Sequence, residues 1–301
     1  MSQIQLEEQV LPPRIELPAL EKNIFEVRAL KNYFLTSLVW LLAVLASIPL
    51  FSVIYMLLVQ GGARLDMEAI TALPPAGFEM GGGFGNAIVG TLTMVGIASA
   101  ISIPIGIMAA LYLSILNPSS KIATISRFLA KVLTGFPSIL AGVFVYAVIV
   151  ITTGTYSAWA GGVALAVLML PTVTLAAEEA MKQVPQKMKD AAFGMGCTRT
   201  QVILKVVLPT ALPGILTGVI LAVAGAAGES APLLFTALFS NYYMAELAEP
   251  TASLSILIYN FSGMPFENQI ELAWAASLVL VILVLFFNIL ARVVGRSKFK
   301  E

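Results

Sequence analysis

The sequence of 301 residues contains no histidine and a single cysteine, Cys197. The lack of histidine excludes a Ser-His-Asp type of catalytic triad and histidine-ligated metal sites. One cysteine cannot form a disulfide within the chain. No GxxxxGK[ST] pattern occurs either, so the chain has no Walker A loop with which to hold ATP. An activity driven by ATP would therefore need its nucleotide site on another subunit.

Charged residues are also scarce. They make up 11% of the chain, and 17 basic residues balance 17 acidic ones, so nothing indicates binding to nucleic acid. Hydrophobic residues make up 58% of the chain, and the mean hydropathy is +0.91. This composition is typical of a membrane protein rather than of a soluble globular one.

Six hydrophobic blocks are long enough to cross a bilayer: 33–59, 86–116, about 132–152, 159–177, 206–228 and 271–294. We therefore predict an all-α membrane protein with six transmembrane helices in one domain, 33–294. Segments 1–32 and 295–301 are predicted to be cytoplasmic tails, because the first mixes acids, bases and prolines and does not resemble a signal peptide. Between the spans we expect a flexible glycine loop at 81–83, a basic loop at 117–131 and a long loop at 230–270.

The positions of the basic residues predict the orientation. If the loop between the fourth and fifth spans is cytoplasmic, every lysine and arginine except Arg64 lies on the cytoplasmic side. Short cytoplasmic loops carry an excess of Lys and Arg in multi-pass proteins. Both termini are then predicted to be cytoplasmic.

The loop between the fourth and fifth spans contains the sequence DAAFGMGCTRTQVILKVVLP, residues 190–209. It predicts one polar helix that ends near Gly196, a residue able to adopt positive φ, and a second helix broken by Pro209 where it enters the membrane. Two short exposed helices joined at a glycine are suited to docking against another protein. An ordinary amphipathic loop between spans is the alternative. We interpret Cys197 as a small buried or interfacial residue.

The fifth span has a stripe of small residues, Gly214, Gly218, Ala222 and Ala226, at every fourth position. Such a stripe allows close helix packing in lipid. The sequence leaves open whether the stripe packs within this chain or against another subunit.

The spacing of the loop resembles that of the EAA loop of ATP-binding-cassette importer permeases. The matching residues are Asp190, Ala191, Ala192, Gly196, Val206, Leu208 and Pro209. Asp190 stands where these proteins usually have Glu. The resemblance implies a type I importer permease in which residues 181–207 form the contact with an ATPase subunit.

Other segments resemble the phosphate-uptake permeases of the PstA type, above all GESAPLLFTALF (228–239) and EPTASLSILIYN (249–260). The resemblance implies a complex in the bacterial inner membrane. Its other members would be a homologous second permease, two ATPase subunits that hold ATP and Mg²⁺, and an external phosphate-binding protein. The chain itself would bind no cofactor or metal. One departure is Gly225, which occupies a position where the family typically has Arg.

If phosphate crosses this chain, neutral donors have to replace its water. The candidates are Thr91, Thr93, Ser99, Ser102 and Ser138, and each hydroxyl could instead bond back to its own helix. Glu229 is the candidate gate, because its carboxylate can accept a hydrogen bond from protonated phosphate but not from sulfate. It could also pair with a base of the second permease or be an exposed loop acid. Ser230 is expected to cap a short helix after Glu229.

Other functions fit the sequence less well. A secondary transporter would be expected to show internal repeats and ionisable residues in its spans, and the sequence shows no repeat and no base within a span. An intramembrane hydrolase would need a histidine or a paired-aspartate site. A permease for another oxyanion, such as sulfate or molybdate, is the alternative that remains.

Overall fold

The computed structural model describes residues 27–296, and every regular element among them is helical. The chain divides into two units, one up to Val53 and one from Ile54 onward. The described part of the first unit is the helix α1 as far as Val53, and all other elements belong to the second. The α-helices are α1 (Val27–Met56), α2 (Met67–Thr71), α3 (Gly85–Leu111), α4 (Lys121–Thr134), α5 (Ser138–Val145), α6 (Ile151–Thr153), α7 (Ala158–Lys182), α8 (Gln186–Gly194), α9 (Arg199–Val202), α10 (Leu208–Gly228), α11 (Ala231–Leu234), α12 (Leu254–Ser262) and α13 (Glu267–Arg296).

Four of these helices are extended by wider, π-type turns: Leu57–Gly61, Tyr112–Leu116, Tyr146–Val150 and Ile203–Val207. Counted with these turns, five helices of the described chain are long and apolar enough to span a membrane. A sixth span consists of two segments, Lys121–Thr134 and Ser138–Thr153, that are bent by 106°. The all-α fold with up to six spans is therefore confirmed.

The structure corrects one prediction about the third span and one about the loop before it. Residues 132–134 do not open that span but end α4, and the second segment starts at Ser138, directly after Pro137. The predicted basic loop 117–131 is mostly helical, because Ser120 accepts a hydrogen bond from the Ala123 N–H and caps α4. The apolar residues of α4 recur at helical spacing, a signal that the charges in this segment obscured.

The helix α7 lies at the centre of the second unit and packs mainly against α3 and α10. The contact with α10 uses the predicted stripe. A Cβ on Gly214 would lie 2.8 Å from the Ala180 Cβ, and one on Gly218 would overlap the Ala176 methyl group. Ala222 and Ala226 are buried as well. The stripe therefore packs within this chain, which decides between the two alternatives left open by the sequence.

The predicted flexible glycine loop is an ordered turn. Gly81 and Gly82 both have positive φ, and the Gly82 N–H donates to Glu68 Oε1 at 2.8 Å. A Cβ on Gly83 would collide with the backbone of α2. The side chain of Asn268 donates to the carbonyls of Glu79 and Gly81, so α13 also holds this segment in place.

The predicted long loop 230–270 contains two helices, α11 and α12, and includes the start of α13 at Glu267. Leu254, Ile256 and Leu257 of α12 are fully buried. A buried helix of nine residues satisfies many of its backbone groups internally, which explains why apolar pieces too short to span are still enclosed by the fold.

The expected break at Pro209 is absent. The helix runs without interruption from Arg199 to Gly228, and Pro209 and Pro213 lie inside it. In the π-type turn before Pro209, the Leu208 N–H donates to the Ile203 carbonyl, one residue further back than in an α-helix. We attribute the continuity to this wider turn, because it gives room to the proline ring, which would otherwise crowd the carbonyl four residues earlier.

Candidate functional site

Of the predicted contact segment 181–207, residues 181 and 182 end α7. Residues 186–207, called the coupling loop here, form two short helices, α8 and α9, followed by the π-type turn that leads into α10. Gly196 has φ +84° and connects the two helices, as the sequence predicted for its conformation. Thr198 then starts α9 with a capping box, in which its side chain accepts from the Gln201 N–H and Gln201 accepts from the Thr198 N–H. The path of the loop is therefore fixed by local geometry.

The coupling loop presents apolar side chains to solvent. Met195 is 79% exposed, and Met188 and Phe193 are each more than 40% exposed. Ala192 and Val202 are buried against the rest of the fold. Asp190 and Ala191 face outward, and Asp190 accepts a hydrogen bond from Gln186 within α8. Exposed apolar side chains outside the membrane-spanning helices are typical of a surface that binds another protein.

The last three residues of the EAA-like spacing differ in their exposure. Val206 and Leu208 are half-buried against the main core cluster, while Pro209 is exposed. Cys197 is half-buried against the same cluster, in agreement with its interpretation as a small packing residue. One side of the loop is thus held by the fold and the other faces outward.

An ionic cluster lies where α7 approaches the coupling loop. Glu178, whose side chain is 4% exposed, accepts from Arg127 Nε at 2.5 Å and from Lys182 Nζ at 2.7 Å through the same oxygen, Oε1. Arg127 also donates to the carbonyls of Leu113 and Pro118. One buried carboxylate therefore connects α4 and α7, and through Arg127 also the end of α3. Because Glu178 has two cationic partners, its charge stays compensated when one of them is removed. Loss of both would leave a buried charge unpaired, which costs about 3–5 kcal/mol.

A cavity of about 200 Å³ lies between α7, α10 and the bend from α4 to α5. About 10–15 Å³ of such volume holds one water molecule, so the cavity has room for a small hydrated anion. Its polar lining side chains come from four different elements or their junctions: Thr134, Ser138, Thr172 and Glu229. Apolar residues such as Leu168 and Leu221, together with Gly225, form the rest of the wall.

The structure brings two of the predicted pathway residues together, Ser138 and Glu229, at this cavity. The four candidate hydroxyls of α3 do not line it. Thr91 and Ser102 are buried and donate to carbonyls of their own helix, and Thr93 does the same nearer the surface. Thr91 also accepts from the Leu254 N–H at 2.9 Å, which gives it a structural partner. Ser99 is half-buried, away from the cavity lining.

Glu229 caps the carboxyl end of α10, and its carbonyl accepts a hydrogen bond from Ser255 Oγ at 2.9 Å. Ser230 occupies the N-cap position of α11, but its side chain makes no capping bond. The helix α11 has only four residues, and Pro232 packs tightly against Gly142 of α5. The short helix expected after Glu229 is therefore present, but the expected capping by the Ser230 side chain is not.

Sequence reasoning missed Arg127, Glu178 and Thr172. Glu178 and Lys182 stand four residues apart near the end of an apolar span, a spacing that predicts an ion pair. Their connection to Arg127, 51 residues earlier, depends on the fold. Within residues 27–296, no group of three or more metal-ligating side chains comes together.

A family model described as "Binding-protein-dependent transport system inner membrane component" matches residues 102–300. The "Phosphate transport system permease protein PstA" of Pasteurella multocida is 37% identical over 92% of this chain and 98% of its own length. The "Probable phosphate transport system permease protein PstA" of Methanocaldococcus jannaschii is 38% identical over 86% of this chain and 92% of its own length.

Solved structures show the same architecture at lower identity. A chain of a bacterial alginate ABC transporter in complex with a pentasaccharide-bound periplasmic protein superposes with a TM-score of 0.63 at 17% identity, covering 93% of this chain and 98% of that one. A chain of the inward-facing MetNI methionine ABC transporter gives 0.57 at 21% identity, covering 72% and 96%. At these identities the likeness establishes the fold.

Proposed function

Because this chain belongs to the family of binding-protein-dependent transport system inner membrane components, we propose that it is the permease subunit of an ATP-driven importer that carries inorganic phosphate into the cytoplasm. The observation that carries the proposal is the identity of 36–38% to phosphate permeases along nearly the whole chain. The chain is a non-catalytic subunit of its transporter. ATP hydrolysis belongs to a partner, since the sequence has no Walker A loop.

The coupling loop is the proposed contact with the ATPase. Its exposed Met188, Phe193 and Met195 supply an apolar surface, and Gly196 sets the angle between its two helices. The partners we propose are two ATPase subunits, a second, homologous permease and an external phosphate-binding protein. The coupling loop and both termini lie in the cytoplasm in this proposal, which agrees with the position of every basic residue except Arg64.

In this orientation the external segments are strongly acidic. Residues 60–84 and 229–271 contain eight carboxylates and one base, Arg64, which pairs with Asp66 at 2.8 Å. Such a surface repels free phosphate. Delivery of the anion by an external binding protein is consistent with this charge, because a docked protein shields the anion from the acidic surface.

The cavity at Glu229 is the proposed passage for phosphate. Near neutral pH the anion still carries a proton, and its P–OH group can donate to the Glu229 carboxylate while hydroxyls such as Ser138 donate to its other oxygens. Sulfate has no proton to donate, so the same carboxylate repels it. An unpaired acceptor costs about 1–3 kcal/mol, which corresponds to roughly ten- to a hundredfold discrimination.

Uptake of labelled phosphate into vesicles that contain the assembled complex tests the proposal. We expect ATP-dependent uptake that needs the binding protein and is not inhibited by excess sulfate or molybdate. Uptake of sulfate or molybdate in preference to phosphate would instead assign the chain to another oxyanion importer.

A further inference from the structure

Arg199 connects the coupling loop to a distant helix. Its Nη2 atom donates to the carbonyls of Ile115 and Leu116, at 2.6 and 2.5 Å, across more than 80 residues of sequence. The other hydrogen bonds of the described residues 186–202 stay within the loop or its own helices. Arg199 is therefore the polar link between this part of the loop and another part of the fold.

The acceptors of Arg199 are the last carbonyls of the π-type turn that extends α3. Carbonyls at a helix end have no partner within the helix and carry the negative end of its dipole, so a guanidinium is favourable there. Arg127 donates to the Leu113 carbonyl in the same turn. Two arginines, one from the coupling loop and one from α4, thus hold the carboxyl end of α3.

The helix α3 leads from this end to the opposite side of the second unit. With its π-type turn it has 32 residues, which corresponds to about 48 Å. Near its other end, Thr91 accepts from the Leu254 N–H, and Gly90 lies so close to the Ala252 carbonyl that a Cβ would overlap it. If α3 moves as a unit, a displacement of one end therefore also displaces the contacts with the segment in front of α12.

We propose that Arg199 is a positioning residue for transport, which ties the coupling loop to α3 so that a displacement of the loop by the ATPase also moves α3. This inference rests on the proposed function, because it assumes that an ATPase moves the loop. The guanidinium suits the task, since one nitrogen can serve two adjacent carbonyls while the charge remains constant.

The test compares Arg199→Gln, Arg199→Lys and the control Lys131→Gln in the assembled complex. Lys131 is an exposed base of α4 whose side chain forms no hydrogen bond with the described residues. The measurements are co-purification of the ATPase and the amount of phosphate transported per ATP hydrolysed. We expect Arg199→Gln to retain the ATPase but to transport about tenfold less phosphate per ATP, as for the loss of about 1.4 kcal/mol of interaction. Arg199→Lys should give an intermediate ratio, and Lys131→Gln the wild-type ratio.

A cross-link provides a second test, in which transport per ATP is expected to rise rather than fall. In a Cys197→Ser background, Leu116→Cys/Arg199→Cys should transport poorly until a short thiol-to-thiol reagent joins the two positions, and transport per ATP should then rise. A wild-type ratio in Arg199→Gln, loss of the ATPase from that variant, or no recovery after complete cross-linking would each overturn the inference. A wild-type complex that takes up no phosphate would contradict the proposed function instead, before any variant is compared.

Discussion

One glycine determines the path of the coupling loop. Gly196 has positive φ, and no atom lies within 4 Å of the place that a Cβ would occupy, so the cost of a side chain there is a backbone cost. We expect Gly196→Val to lose co-purification of the ATPase, or to hydrolyse ATP without transport, while it still inserts into the membrane. Gly62→Val is the control, because Gly62 has equal space, has φ −67° and lies outside the coupling loop. Normal transport by Gly196→Val would disprove the role of this turn.

Glu229 tests the proposed selectivity at the cavity. Glu229→Gln keeps the size of the side chain but removes the carboxylate that repels sulfate. We expect phosphate uptake to fall by about tenfold or more and inhibition by sulfate to increase. Glu246→Gln, at an exposed acid of the same side, should behave as wild type. If Glu229→Gln transports phosphate at the normal rate and still excludes sulfate, the residue is neither gate nor filter.

For single residues, the sequence predicts the features that depend on local geometry. The positive φ of Gly196 could be predicted from the pattern around it. The environment of Thr91 could not, because its partner at Leu254 is 163 residues away. The ion pair of Arg127 and Glu178 could not be predicted either, because only the fold brings the two residues together.

The packing of α7 against α10 depends on the absence of side chains. We expect Gly218→Leu to destabilise the protein by about 1–3 kcal/mol or more, since a Cβ at this position already overlaps the Ala176 methyl group. Gly96→Leu in α3 is the control, because a Cβ there has no neighbour within 4 Å. The midpoint of thermal unfolding in detergent should fall for Gly218→Leu and stay close to wild type for Gly96→Leu. Equal midpoints for the two variants would show that the close contact between α7 and α10 does not contribute to stability.

Most helices could be predicted from hydrophobic length, but their internal geometry could not. The bend of 106° follows from Pro137, yet the helix before it was hidden by its basic residues. The break expected at Pro209 does not occur, because a wider turn precedes the proline. Hydropathy indicates the length of each apolar segment, but it does not indicate which hydrogen bonds the backbone forms within that segment.

The distribution of charge over the whole molecule predicts its orientation in the membrane. Met80 and Met195 are 87% and 79% exposed and lie on opposite sides of the proposed topology. In a Cys197→Ser background, Met80→Cys should react with a membrane-impermeant thiol reagent in intact cells. Met195→Cys should react only after the membrane is permeabilised. The reverse pattern would invert the orientation and place the acidic segments in the cytoplasm.

The π-type turns also affect which deletions the chain tolerates. Such a turn holds one residue more than the α-helical path, so a chain one residue shorter can run through it as a regular helix. Deleting Lys205 from the turn at Ile203–Val207, together with Pro209→Ala, would therefore leave Gly214 and Gly218 facing α7. The replacement of Pro209 is needed because its ring would crowd the carbonyl four residues earlier in a regular helix. Deleting Thr210, beyond the turn, would rotate both glycines by about 100° away from α7, because one α-helical residue corresponds to that angle. Once Pro209 is replaced, the extra residue thus makes this turn a place where the length of the chain can change while the packing face of α10 is kept.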